Sequence, residues 1–474
     1  MTINYETVIG LEVHAELKTE TKIFCSCSAK AKDAPNTNVC PVCLGLPGTL
    51  PTLNENALRL SVLAGICLNC KIAPLSKFDR KNYFYPDLPK AYQISQYDIP
   101  LCTDGYLDIE TGNGKKRIGI TRIHMEEDAG KLFHRNDATL IDCNRCGIPL
   151  IEIVSEPHIS SGTEAVAYLK KLREILVFAG ISDGKMNEGS LRCDVNLSVR
   201  KKGEPMGVRC ELKNLNSFKF VEKAIEYERD RQIAVLESGG VIEQETRRFD
   251  EKDLKTYFMR KKESQADYRF FEEPDLPHIV ITEEYLENLK SSMPTPAHLR
   301  RERYLSEWGI PISDGEVLTL SVEAADYFER CAAETEYKRI AANIIITELP
   351  GLSQGGGDIR RIAPQRIGAL CDVWGKGIIN SATAKKLIRR MWDGEELDPV
   401  LTVEKEGLSL ITDFDKVRSF VLSAIAKSEK AVEDYKKGKA TAARSIVGKA
   451  MGESRGRAEP ELVARLVTEE LDKM

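Results

Sequence analysis

Residues 121–131 read TRIHMEEDAGK and residues 147–157 read GIPLIEIVSEP. Their apolar positions and those just before them are Ile118, Ile120, Ile123, Met125, Ile148, Leu150, Ile151, Ile153 and Val154. Most are β-branched and short polar steps interrupt them, which favours strands over helices. Glu126, Glu127, Asp128, Glu152 and Glu156 ride on those strands, with His124 nearby. Carboxylates on a buried sheet repel one another and lose hydration, at a cost of roughly several kcal/mol per ion. A cation among them offsets that cost. Hard oxygen donors favour Mg²⁺, which keeps waters and shares its remaining positions with substrate phosphates. The competing reading is a solvated acidic face that binds nothing.

The strands flanking this stretch carry more of the same. Residues 8–17, VIGLEVHAEL, alternate so that Ile9, Leu11 and Val13 share one face of a strand and Glu12 and His14 the other. A carboxylate and an imidazole two residues apart suit one metal ion or a phosphate-bearing site; an exposed strand face is the plain alternative. Residues 190–199, SLRCDVNLSV, set Arg192, Asp194 and Asn196 against Leu191, Cys193, Val195 and Leu197. Glu211, Lys213, Asn214 and Asn216 form another acid-bearing cluster ahead of a long helix over 218–238. At least four strands thus present a polar face with Glu or Asp, a cradle suited to nucleotide and metal ions. No GxxxxGK[ST] loop and no kinase HRD or DFG set occurs. Gly355, Gly356 and Gly357 lack the strand–turn–helix setting of a dinucleotide loop and read as a flexible link.

Cys25-x-Cys27 is followed, twelve residues on, by Cys40-x-x-Cys43. Two close pairs on separate turns are what a tetrahedral four-thiolate zinc site requires. With no position left for water, such a zinc is structural. Cys67 with Cys70, and Cys143 with Cys146, have a similar spacing, so a second metal shared between them stays open. Residues 77–96, KFDRKNYFYPDLPKAYQISQ, are aromatic and basic, and Pro86 and Pro89 argue for an irregular segment lining a channel or simply packed on the surface.

The chain has 474 residues, 42% hydrophobic and 30% charged, with a net charge of -5. That predicts two to four domains and excludes a generally basic nucleic-acid coat, though not a local basic surface. The opening residues lack the basic-then-apolar pattern of a signal peptide, and no 18-residue apolar run predicts a membrane span. Thirteen cysteines in such a chain point to thiols or metal ligands in a reducing cytoplasm rather than a disulfide framework. Near Ser291 the texture turns Pro-rich and then helical, with helical spacing over 322–336, 337–348, 364–376 and 381–392. The division expected is 1–294, 295–410 and 411–474. Between residues 436 and 457, Lys436, Lys437, Lys439, Arg444, Lys449, Arg455 and Arg457 face one acid, Glu453. Glycines let a backbone approach, so this is a phosphate-backbone surface unless it is only a solvated helix face.

The blocks VIGLEVHAELKT, KFDRKNYFYPDLPKAYQISQ, HMEEDAGK, PLIEIVSEP, EGSLRCDVN, ELKNLNSF and QETRRFD, in this order, with VEDYKKGK near the C-terminus, closely resemble the B-subunit family of aspartyl/glutamyl-tRNA(Asn/Gln) amidotransferases. The resemblance implies an α+β fold: a glutamine-synthetase-like antiparallel-sheet cradle, then a helical domain, then a small helical tail that grips tRNA. It implies a carbon–nitrogen ligase with glutamine as amido donor. ATP phosphorylates the side-chain carboxylate of Glu on tRNA(Gln) or Asp on tRNA(Asn), and ammonia from a separate amidase, the A subunit, displaces the phosphate. A small C subunit completes the heterotrimer. By resemblance Glu12, His14, Glu127 and Glu152 are the Mg²⁺ ligands, with Glu126, Asp194 and Glu211 as further candidates for the nucleotide and metal. Strand alternation leaves open which of Glu126 and Glu127 faces the site. The cysteine quartet occurs in part of the family, so Zn²⁺ is expected to stabilise and not to catalyse. Lys436, Lys437, Lys439 and Arg444 fall to the tRNA contact. Two other readings remain: a non-catalytic tRNA-binding scaffold, and a metal-dependent ATP ligase acting on a small acid.

Overall fold

The computed structural model describes residues 5–30, 33–112, 114–261, 265–353, 358–439 and 441–474. It divides into two compact units, Met1–Pro296 and Ala297–Met474. Gly355, Gly356 and Gly357 lie outside the described residues.

The first unit is built on a nine-stranded sheet. Its strands are β1 (Tyr5–Glu16), β2 (Lys71–Ile72), β3 (Cys102–Thr111), β4 (Gly114–Glu127), β5 (Pro149–Ser155), β6 (Leu191–Lys201), β7 (Cys210–Lys213), β8 (Glu245–Asp250) and β9 (Lys255–Lys261). Their spatial order is β9-β8-β7-β6-β1-β5-β4-β3-β2. Every pairing is antiparallel except β7 with β8. That exception departs from the all-antiparallel expectation. Its cause is the connection: a long helix lies between these two strands in sequence, and a crossover of that length returns the chain in the same direction.

Alternation decides what each face meets. Ile9, Leu11, Val13 and Ala15 of β1, Cys193, Val195 and Leu197 of β6, Ile151 and Ile153 of β5, and Ile123 and Met125 of β4 are all buried in one core. Helices α1 (Glu55–Cys67), α2 (Gly162–Phe178) and α3 (Phe218–Glu237) add Leu60, Leu169, Leu172, Leu176, Val221 and Ile225 to it. Each starts at a side-chain cap: Asn54 accepts from the Asn56 and Ala57 amides, Ser161 from the Glu164 amide, Ser217 from the Phe220 amide. Truncating Leu169 or Leu172 to Ala in such a core costs about 2–5 kcal/mol. Gly162 lets α2 and α3 approach closely, since a Cβ there would sit 3.0–3.2 Å from Glu222 atoms.

Residues 77–96 contain more order than expected: Asp79–Asn82 and Tyr92–Ser95 pair antiparallel, and Phe271–Glu272 adds a third strand. Pro86 and Pro89 fall between the two strands and so break neither.

The second unit is helical and holds two separate apolar clusters. One gathers Tyr304, Phe328, Leu370, Leu387 and Ile388; the other gathers Val417, Val421, Ile446, Val463 and Leu466. The helix expected over 337–348 runs as Lys338–Asn343 and then widens into a π-turn at Ile344–Glu348. Pro350 follows directly; it has no amide hydrogen to give and crowds the carbonyl four residues back, which the wider turn accommodates. No described helix is long and apolar enough to cross a membrane.

Candidate functional site

The face of the sheet opposite the core is polar across five adjacent strands. Register aligns its side chains in rows. Arg192 of β6, His14 of β1, Glu152 of β5 and His124 of β4 are successive cross-strand partners. In the neighbouring rows Asp194 pairs with Glu12, and Leu150 with Glu126, while Asn196 pairs with Glu211 of β7. Directly opposed residues stand about 4.5–5.5 Å apart, close enough for their side chains to share an ion.

One group forms around His14. Its Nε2 lies 3.4 Å from Glu126 Oε1 and 3.3 Å from Glu152 Oε2. His124 Nε2 lies 3.3 Å from Glu152 Oε2 and 3.7 Å from Glu126 Oε2. Burial pushes the His14 pKa down, but Glu152, Glu126 and Asp194 outweigh it and raise it to about 9. His124 is raised in the same way, with burial opposing Glu152 and Glu126. Burial pushes the Glu152 carboxyl up, yet His124 and His14 carry it well below the usual range. Glu152 therefore stays ionised, with the imidazoles of His14 and His124 beside it. His14, Glu126 and Glu152 each offer a ligand atom, and these lie within 4.8 Å of one another. A set of two carboxylates and one imidazole, all on rigid strands, fits a hard divalent cation that completes its shell with water and phosphate oxygens.

A second group takes Glu12, Asp194 and Glu211, whose ligand atoms also lie within 4.8 Å of one another. Asn196 Nδ2 donates to Glu12 Oε1 at 2.8 Å, and Thr246 Oγ1 to Glu211 Oε2 at 2.8 Å. Lys213 pairs with Asp194 and reaches Glu211 Oε1 at 3.2 Å. Burial lowers the Lys213 pKa, but Asp194 and Glu211 raise it overall. Between the groups Arg192 binds Asp128 and reaches Glu16 Oε1 at 3.2 Å. Burial, helped by Asp128, lifts the Glu16 carboxyl to about 7. Lys81 and Tyr83 join His14, Glu126, Asp128, Arg192 and Asp194 in lining one cleft.

Two expectations change. Glu12 does not share a ligand group with His14; it belongs with Asp194 and Glu211. Glu127 does not join Glu12, His14 and Glu152. It is the partner of Pro149 in register and turns to the opposite side of β4, where it pairs with Lys90 and accepts the Ile94 amide at 2.9 Å. Glu126 is the one that faces His14. Lys81, His124, Arg192 and Lys213 add to His14 as cations of the site. A basic residue at the same parity as an acid on a polar strand face, as in Arg192-x-Asp194 and Glu211-x-Lys213, is the signal by which two of them are found.

At the N-terminal corner the Sγ atoms of Cys25, Cys27, Cys40 and Cys43 lie within 4.8 Å of one another. Zinc–thiolate bonds of about 2.3 Å put tetrahedral sulfurs about 3.8 Å apart, so the quartet fits zinc. The thiol contact with Cys25, against burial, lowers the Cys43 pKa to about 4, while burial and Cys40 raise Cys27 to about 11. The idea of a second metal shared by the remaining pairs fails on position. Cys143 and Cys146 adjoin each other and the Cys43 side of the quartet, whereas Cys70 lies against Cys102 and Gly105.

In the second unit, Lys436 ends the helix Glu429–Lys436 and Arg444 lies in Ala442–Glu453, both exposed. Lys437 is 3.6 Å from Glu433 and Lys439 3.1 Å from Asp434, so acids just upstream partly offset two of the four charges.

Residues 7–287 match the GatB/GatE catalytic domain, and residues 326–471 match the GatB domain. The B subunit of the aspartyl/glutamyl-tRNA(Asn/Gln) amidotransferase of Thermoanaerobacter pseudethanolicus is 51% identical over 476 residues, covering 99% of this chain and 100% of the relative. The subunits of the same name from Carboxydothermus hydrogenoformans and Caldicellulosiruptor saccharolyticus are 50% and 49% identical, over 99% and 100% of both chains. With a catalytic-domain match over more than half its length and such relatives along nearly all of it, this chain belongs to the B-subunit family of aspartyl/glutamyl-tRNA(Asn/Gln) amidotransferases.

Proposed function

We propose that this chain is the ATP-dependent kinase and transamidase subunit of a tRNA-dependent amidotransferase. It phosphorylates the side-chain carboxylate of Glu on tRNA(Gln), Asp on tRNA(Asn), or both, and amidates it with ammonia. The observation that carries this is the pair of three-ligand groups, His14 with Glu126 and Glu152, and Glu12 with Asp194 and Glu211, on one face of adjacent strands. A carboxylate is a poor electrophile at neutral pH; phosphorylation turns its oxygen into a leaving group. That transfer requires alignment and charge neutralisation more than a protein nucleophile. Divalent metal, when bound by these acids, supplies Lewis-acid neutralisation of phosphate charge. The chain's own residues do the rest. Glu126 and Asp194 line the cleft, and Glu152 and Glu211 belong to the ligand groups those two complete. Arg192 and Lys81 line the same cleft and Lys213 pairs with Asp194 beside it, so these are the cations offered to phosphoryl oxygens.

The sheet is read as a cradle of the glutamine-synthetase kind, followed by a helical domain over 295–410 and a tRNA-gripping tail over 411–474. The two separate apolar clusters of the second unit support that division. Exposed Lys436, Lys437, Lys439 and Arg444 suit tRNA phosphates. Zinc at the cysteine quartet is structural. Ammonia comes from the amidase, or A, subunit of a heterotrimer that also holds a small C subunit. Thirteen free cysteines agree with a cytoplasmic setting. The test is transfer of labelled phosphate from ATP to Glu-tRNA(Gln) and Asp-tRNA(Asn) by the complete complex with Mg²⁺. Transfer supports the reading. ATP binding without transfer on either tRNA favours a scaffold, and turnover without tRNA favours a small-acid ligase.

A further inference from the structure

Lys22 is fully buried, and nothing in the reaction above uses it. Its ammonium donates to the Asn38 carbonyl at 2.8 Å, to Cys43 Sγ at 3.6 Å and to the Cys143 carbonyl at 3.5 Å. Among the described residues no carboxylate pairs with it. A buried ammonium facing only neutral carbonyls is costly, because carbonyl dipoles do not replace lost hydration or supply a counter-charge. The remaining partner is a ligand of the cysteine quartet. Four thiolates around a divalent ion leave a net charge of about -2 at the centre. A cation in van der Waals range of that charge is compensated by it and compensates it.

We propose that Lys22 is the built-in counter-cation of a four-thiolate zinc centre and the strut through which that centre holds the turn at residues 143–147. The proposal rests on reading the quartet as a zinc site. The strut has a defined far end. The Ile23 amide donates to the Gly147 carbonyl at 2.8 Å, the Gly147 amide to the Asp128 carbonyl at 2.9 Å, and the Asp128 amide to the Ile148 carbonyl at 2.9 Å. Asn38 is tied to the same turn, its amide donating to Asn144 Oδ1 at 2.8 Å. Gly147 leads straight into β5, which carries Glu152, and Asp128 holds Arg192. Zinc occupancy and the order of this end of the acidic face are thereby linked through the Lys22 side chain together with the Ile23 and Asn38 amides. Lys22 is a positioning residue and touches no reacting atom.

The full chain is tested without reference to its activity. Zinc content is measured by elemental analysis, and zinc transfer to a competing chelator is followed for the wild type, Lys22→Met and Cys43→Ser. Removing an outer partner of a metal site lowers metal affinity by about ten- to a hundredfold. Lys22→Met is expected to lose that much, to gain less thermal stability from added zinc, and to be no less stable than the wild type when both are metal-free. Amides 144, 147 and 148 are expected to exchange faster in it. Wild-type zinc affinity in folded Lys22→Met overturns the counter-cation role. A wild-type chain that binds no zinc overturns the quartet reading instead, and Cys43→Ser reports that case separately. Should Lys22→Met fail to fold, the wild type answers: an amine-acylating reagent read by mass spectrometry is expected to spare Lys22 with zinc bound and to label it after chelation. Equal labelling in both states overturns the proposal.

Discussion

Glu126 and Glu127 are adjacent in sequence and lie on opposite sides of β4, so exchanging each for glutamine separates catalysis from stability. Glu126→Gln removes one negative charge from a group whose nearest cation, His14, is 3.4 Å away. At an effective dielectric of about 20, the gross Coulomb attraction at that distance is roughly 5 kcal/mol, most of which the burial of the two groups cancels. Its loss drops the His14 pKa and removes one of three ligand atoms from the metal group. The fold has little to lose, since Glu152 repulsion is relieved at the same time. The expected result is an unfolding temperature within about 2 °C of wild type and phosphoryl transfer reduced about 10²–10³-fold, the usual effect of deleting one electrostatic contact to a reacting group. Glu127→Gln leaves the Lys90 ammonium buried without its carboxylate, Lys90 and Glu127 side chains being only 11% and 6% exposed. Breaking a buried pair costs about 3–5 kcal/mol. At roughly 2 °C per kcal/mol for a unit of this size, unfolding falls by about 6–10 °C. Phosphoryl transfer measured below that temperature stays within a few-fold of wild type. Calorimetry and labelled-ATP transfer on both variants decide it. Normal transfer in Glu126→Gln, with transfer lost in a fully stable Glu127→Gln, refutes the facing derived from the register.

Further outcomes bear on the remaining charges. His14 titrates near 9 when folded and near 6.5 when unfolded, so its contribution, about 3 kcal/mol, is fully present below pH 6.5 and disappears as pH rises through 9; urea unfolding of the metal-free chain at pH 6, 7.5 and 9 reads it, and a flat profile removes the imidazolium from the argument. Because metal displaces that proton, apparent Mg²⁺ affinity is expected to climb by up to about tenfold per pH unit towards pH 9, measured by metal titration. Replacing Lys436, Lys437, Lys439 and Arg444 with alanine is expected to weaken tRNA binding and to flatten its dependence on salt by about 0.9 for each phosphate no longer neutralised; unchanged binding takes the tail out of the interface. Cys40→Ser with Cys43→Ser is expected to abolish stoichiometric zinc by elemental analysis and to lower the unfolding temperature, while chelation of the wild type reproduces the second effect.

The strands and their polar faces are legible in the sequence because a two-residue period is a local property. In 8–17 and 190–199 the alternation alone separates Glu12 and His14, or Asp194 and Asn196, from the core. The long helix expected over 218–238 is equally local and runs over Phe218–Glu237. What the alternation cannot give is the choice between Glu126 and Glu127. In β4 the buried apolar residues are Ile118 and Ile120, then Ile123 and Met125, so parity reverses within the strand. The pairing with β5 shows why: Val154 opposes Arg122 while the next residue, Ser155, opposes Ile120, a shift of one residue. Thr121 is an extra residue, a bulge that turns the following side chains over.

The grouping of ligands is hidden for a different reason. It depends on which strands become neighbours and in what register, and those pairings join residues more than a hundred positions apart, such as His14 with Glu152 and Glu12 with Asp194. Sequence spacing put Glu12 beside His14 because they are two residues apart. In the sheet, two residues along one strand is about 7 Å, whereas direct neighbours across strands are nearer. Direct partners across strands are therefore favoured over chain neighbours: Glu12 goes with Asp194 and His14 with Glu152, and Glu211 and Glu126 each join diagonally from the next strand. Two candidate ligand groups instead of one follow from that inequality of distances, and the bulge at Thr121 then turns Glu126 rather than Glu127 towards the His14 group.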